Sequence, residues 1–269
     1  MQGTAGSDQT APPFAAPDPR PRRRGRRQFV LVARRLALAC LTLLLACALA
    51  FGLLLVVTPA TSNAPQLSRA FDQRHGAPYP GVAVPYRFAA SLEATEDHRF
   101  ASEPGIDPLA VARVFYSYVS GRGDQGGATL YQQLAKMLYT PGRTGVAAET
   151  EQVALAVKLK YGYSGAEILR LYADVAYFGH GFYGLEDASC GYFGARPDQL
   201  SWPQAALLAG LVQAPSTDDP IDHPAAGLAR EQHVIGRLVA VGAISQAEAR
   251  AYLAVPLGSL LRHAGSCHG

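Results

Sequence analysis

The chain has 269 residues, 49% of them apolar and 17% charged, with a formal net charge of +3. That length suits one globular domain of roughly 200 residues with an N-terminal appendage. Eight arginines against two aspartates fall within the first 35 residues, which leaves about −3 for the remainder and excludes nucleic-acid binding by a basic folded domain.

Pro, Gly and Ser crowd the start of the chain, so residues 1–35 are expected to be a disordered, basic, cytoplasmic tail. Residues 36–57 carry no charge and no proline. As a helix they would run about 33 Å, enough to cross a hydrocarbon core, and are read as a transmembrane helix. The arginines before it predict a cytoplasmic N-terminus and an extracytoplasmic domain. A cleaved signal peptide is the alternative, but its apolar region is usually shorter.

Residues 58–84 read as a linker, 85–255 as the functional domain and 256–269 as a flexible tail. Pro85 can open a helix reaching about Glu96, and Asp107-Pro108 should start another over 109–119. Capping-box spacings recur at Thr129 and Gln132, Ser164 and Glu167, Ser201 and Gln204, and Ser245 and Glu248. No segment alternates as a strand would, so the domain is expected to be all-α. Residues 121–127 are glycine-rich and predict a loop. Cys40 and Cys47 fall inside the apolar span, and the sequence leaves open whether Cys190 and Cys267 pair.

Two stretches carry candidate chemistry. In Ala94-Thr-Glu-Asp-His-Arg-Phe100, Glu96 and Asp97 are adjacent, so on a helix they diverge by about 100° and cannot form a facing dyad. A Glu96 held in a partly apolar cleft would gain basicity and could act as a general base, leaving Asp97 to orient neighbours. In Gly126-Gly-Ala-Thr-Leu-Tyr-Gln-Gln-Leu-Ala-Lys136, the side chains of Thr129, Gln132, Gln133 and Lys136 fall on one helical face. Lys136 is one of three lysines, and a cation at that place suits a phosphate or diphosphate. His98 and His180 lack a Cys or Asp at ligand spacing, and the pairs Tyr177-Phe178, Phe182-Tyr183 and Tyr192-Phe193 read as core.

These stretches, from Glu96-Asp97 through Phe100 to Gly105 and from Gly126-Gly127 to Lys136, resemble the first two motifs of the peptidoglycan glycosyltransferase domain, glycosyltransferase family 51. Further matches follow in order at Glu167-Ile-Leu-Arg-Leu-Tyr172, Tyr177-Phe-Gly179, Gly191-Tyr-Phe-Gly194, Ala205 to Leu211 and Gln213-Ala-Pro-Ser216, so the similarity covers about residues 80–240. The resemblance implies a lysozyme-like helical fold that polymerises lipid II on the outer face of the cytoplasmic membrane. Glu96 would deprotonate the acceptor 4-hydroxyl and Lys136 would steady the departing undecaprenyl diphosphate. Asp97, Phe100, Gly105, Gly126, Gly127, Thr129, Gln132 and Gln133 would build the cleft. Partners would be lipid II, the nascent glycan strand and other cell-wall synthesis proteins. A divalent cation on the diphosphate is compatible with this, although no ligand cluster requires one.

The chain departs from the family in places. A second family glutamate falls at Gln152 when counted without gaps, or at Glu151 if the family's spacing to an upstream arginine, here Arg143, is kept; the second register is favoured. The family's Arg-Lys pair is replaced by Ala147 and Ala148, its first-motif histidine by Glu103 and its second-motif asparagine by Met137. A catalytically impaired scaffold that binds lipid II or glycan is therefore the main rival, with a lytic, lysozyme-like enzyme behind it. No Ser-x-x-Lys occurs, so a penicillin-binding transpeptidase nucleophile is missing.

Overall fold

The computed structural model describes residues 22–77, 81–105 and 128–261. Two compact units are present, Met1–Leu53 and Leu54–Gly269. The expected helix over 109–119, the glycine loop with Gly126 and Gly127, and Cys267 lie outside the described residues. Cys190 is disulfide-bonded.

Helix α1, Arg22–Val57, carries Gln28–Val57, 30 residues long and apolar enough by length and composition to span a membrane. It begins well inside the segment expected to be disordered. Arginine is a good helix former, and the apolar run Phe29 to Ala33 joins the basic cluster to the span without a break.

The second unit is helical, with a single isolated bridge between Tyr177 and Tyr183 and no strand among the described residues. Its first helix, α2 (Ala64–His75), corrects the expected linker. Pro65 in the first turn and Gly76 in the left-handed conformation, φ +71°, mark its ends, and Leu67 and Phe71 lie one turn apart on its apolar face. Then come α3 (Tyr86–Glu96), α4 (Leu130–Tyr139), α5 (Val146–Gly162), α6 (Gly165–Val175) and α7 (Leu185–Phe193). After a 3-10 turn at Pro197–Gln199 follow α8 (Trp202–Leu211), α9 (Pro224–Ala240), α10 (Gln246–Leu253) and α11 (Leu257–Leu260). Leu257 and Leu260 are buried, so the domain runs past the expected tail boundary at 256.

All four capping boxes form as spaced, at the starts of α4, α6, α8 and α10. Helix α8 is apolar on every side and correspondingly buried from Ala205 to Leu211. Helices α3 and α9 pack against it, α4 packs on α5 and α6, and α2 packs on α6. This arrangement brings the C-terminal end of α3 beside the first turn of α4.

Candidate active site

Helix α3 ends at Glu96, and its terminus is tied down from α9 by Arg237, whose Nε donates to the Ala94 carbonyl at 3.1 Å. The two acids then diverge, as their adjacency predicts. Asp97 turns inward, where its Oδ2 accepts the Leu130 N–H, the first of α4, at 3.0 Å. A buried carboxylate there meets a backbone donor that would otherwise lack a partner and the positive end of the helix dipole. Burial pushes the Asp97 carboxyl up, opposed by the bonds it accepts from Leu130 and from the buried Glu103. Asp97 thus joins two elements and does not line the cleft.

Glu96 points the other way, into a cleft of about 860 Å³. Its Oε2 accepts from Gln133 Nε2 at 3.0 Å, and that same amide donates to the Ala128 carbonyl at 3.2 Å. The other end of the amide, Gln133 Oε1, accepts from the Tyr172 hydroxyl at 2.8 Å. With both ends engaged, Gln133 cannot flip without breaking bonds. Tyr172 is fully buried on α6 and its phenol is pushed far up by burial, so it stays a donor. Burial raises Glu96 above the usual carboxylate range, with the Gln133 bond and the Arg230 charge opposing and Asp97 adding to the rise. The carboxylate is therefore more basic than one in water yet fixed in direction.

Lys136, one turn beyond Gln133, is exposed and lines the same cleft. The predicted face of four residues divides in two, however. Thr129 is buried, with its hydroxyl donating to the Gly105 carbonyl at 3.0 Å and accepting the Gln132 N–H at 3.2 Å, while Gln132 Oε1 accepts the Thr129 N–H at 3.3 Å. Both are taken up in the cap of α4, and only Gln133 and Lys136 reach the cleft. Phe100 is buried and stacks on Tyr131, ring centroids 4.9 Å apart. Gly105 sits at φ +88°, where a Cβ would stand 2.8 Å from the Ala156 carbonyl oxygen, so it serves a close approach to α5.

Arg143, in the turn before α5, places its Nη2 2.8 Å from Oε2 of Glu151 on α5, so the pair chosen by sequence spacing is in contact. Gln152 turns inward and donates to Thr140 Oγ1 at 2.8 Å. Neither residue is among those lining the cleft.

Other lining residues were not proposed as site residues from the sequence. Tyr177 and Tyr183, expected in the core, line the cleft, and Phe71 reaches it from α2. Arg230 and His233 come from α9 and Gln213 from the end of α8. His180 also differs from expectation: its Nδ1 lies 3.2 Å from Asp219 Oδ2 and 3.9 Å from Asp222 Oδ2, partners some forty residues away in sequence. Those three have spacing suited to a metal ion, and none of them is among the residues lining the cleft.

The family signature described as transglycosylase matches residues 65–239. Penicillin-binding protein 1A of Aquifex aeolicus is 34% identical over 221 residues, which is 74% of this chain and 30% of that protein. This chain therefore spans less than a third of that relative. A Cupriavidus necator protein designated a candidate transglycosylase is 31% identical over 204 residues, 76% of this chain and 88% of that protein. The crystal structure of penicillin-binding protein 1A from Haemophilus influenzae superposes with a TM-score of 0.38 at 22% identity, covering 64% of this chain and 16% of that one. With the signature running from α2 to the end of α9, across every helix that lines the cleft, the chain belongs to the transglycosylase family.

Proposed function

We propose that the protein is a membrane-anchored peptidoglycan glycosyltransferase that polymerises lipid II. One observation carries the reading: a half-buried, basicity-raised Glu96, aimed by Gln133, shares its cleft with the exposed ammonium of Lys136. Glu96 accepts the proton of the acceptor 4-hydroxyl as that oxygen bonds to the donor anomeric carbon. The anomeric bond to the diphosphate breaks, and the leaving group departs with the electron pair toward Lys136, inverting the centre. Glu151, ion-paired with Arg143 outside the lining of that cleft, is the second carboxylate in this scheme on the strength of the family-like spacing alone. Helix α1 anchors the enzyme in the cytoplasmic membrane, with the arginine-rich end in the cytoplasm and the domain outside, where lipid-linked substrate and the growing strand are found.

The test is incubation of the purified full chain with labelled lipid II. Glycan polymer is expected from the wild type and a loss of about 10²- to 10⁴-fold from Glu96→Gln. The buried alanine at 148, with Ala147 beside it, stands where the family carries its basic pair and favours a second reading, a scaffold that binds lipid II without turnover. Binding without polymer from the wild type decides for the scaffold.

A further inference from the structure

Arg230 reaches the cleft from α9 along a prepared path. Its aliphatic stem passes α8 at Gly210, where a Cβ would overlap Arg230 Cγ and stand 2.8 Å from its Cδ, so no larger residue fits without moving the stem. Two acceptors fix the guanidinium: Nε donates to Asp218 Oδ2 at 2.9 Å and Nη1 to Gln213 Oε1 at 2.7 Å. The side chains of Arg230 and Asp218 are 19% and 18% exposed, so solvent screens the charges only in part.

We infer that Arg230 is a positioning residue for the transfer reaction, a fixed cation in the same cleft as Glu96 that keeps this carboxylate ionised and ready to accept the acceptor proton. The inference rests on the reading of Glu96 as the base. A base in a desolvated cleft must be charged before it can act, and burial alone works against that. The groups around Glu96 are Asp97 at the end of α3, Lys136 and Gln133 from α4, Tyr172 from α6, and Arg230 and His233 from α9. Asp97 pushes the Glu96 proton affinity up, and Arg230 is the cation that brings it down. Lys136 is exposed, and a charge in water is weakly felt. The ion pair with Asp218 and the bond from Gln213 set where the guanidinium stands, and a planar fork holds such an arrangement better than an ammonium can.

The experiment uses the full chain in detergent micelles, with two readouts on the same variants. One is the pH profile of kcat/KM for lipid II polymerisation. The other is a carboxyl-carbon NMR titration, with the Glu96 signal assigned by its loss in Glu96→Gln. Arg230→Gln is expected to move the acid limb and the Glu96 titration upward together by about 0.5 to 1 pH unit, and Arg230→Lys to recover part of that shift. Gly210→Ala, which displaces the stem and leaves the charge in the protein, should move both in the same direction by less. A Glu96 titration unchanged in both Arg230→Gln and Gly210→Ala overturns the inference, even if activity falls. If the wild type makes no polymer, the glycosyltransferase reading fails, and the NMR titration still decides the role of Arg230.

Discussion

Asp72 on α2 is fully buried and neither carboxylate oxygen has a hydrogen-bond partner. Burial, and then the charge of Asp174 facing it from α6, push its carboxyl from 3.8 up to about 7. The folded chain therefore holds a proton here that the unfolded chain releases near pH 4, and stability falls as pH rises from about 4 to about 7, then levels off. At about 1.4 kcal/mol per pH unit, three units amount to at most about 4 kcal/mol. Asp72→Asn removes the charge and keeps the shape, so the variant should match the wild type at pH 4 and exceed it at pH 8. For a domain of this size the gain corresponds to a Tm on the order of 10 °C higher. Thermal unfolding of the full chain followed by circular dichroism, at pH 4 and pH 8, reads both numbers. A variant that melts at or below the wild type at pH 8, or that gains equally at pH 4, refutes the argument.

Other consequences follow from single contacts. Tyr172→Phe leaves Gln133 Oε1 without its donor and frees the amide that aims Glu96; the loss of about 1 kcal/mol should lower kcat about fivefold with little change in Tm. Glu151→Gln should cut kcat/KM more than tenfold while leaving Tm nearly unchanged, because its ion pair with a half-exposed Arg143 contributes about 0 to 1 kcal/mol to stability. Gln152→Ala should do the reverse, lowering stability by about 1 to 2 kcal/mol through the lost bond to buried Thr140 and sparing turnover. Gly105→Ala forces a left-handed φ on an L-residue and drives its Cβ into the Ala156 carbonyl, so Tm should fall by several degrees in the same melting assay.

What was legible in the sequence was what local chemistry fixes. The capping boxes could be read because a Ser or Thr and its Gln or Glu partner lie three residues apart and satisfy one another's backbone before any tertiary contact forms. Helix α2 was missed although its signals were present in Pro65 and Gly76, because Leu67 and Phe71 make a face too narrow to outweigh the polar residues around them. Tyr172 and Arg230 lie far from Glu96 along the chain, and only the packing of α6 and α9 brings them to it. Tyr172 closes one of the family-like stretches, Glu167 to Tyr172, yet no spacing rule ties either residue to Glu96.

Thr129 and Gln132 show how a correct local reading limits a functional one. Their capping-box spacing and their place on the Gln133 face were both visible, and the two roles compete for the same atoms. A side chain whose oxygen accepts a backbone N–H in the first turn points along the helix axis and cannot also project from the side. Gln133, one residue past the end of the capping box, is the first on α4 whose amide is free to turn toward Glu96. The helix start thus sets which polar residue meets the base, and sliding the cap by one residue would put a different side chain against Glu96.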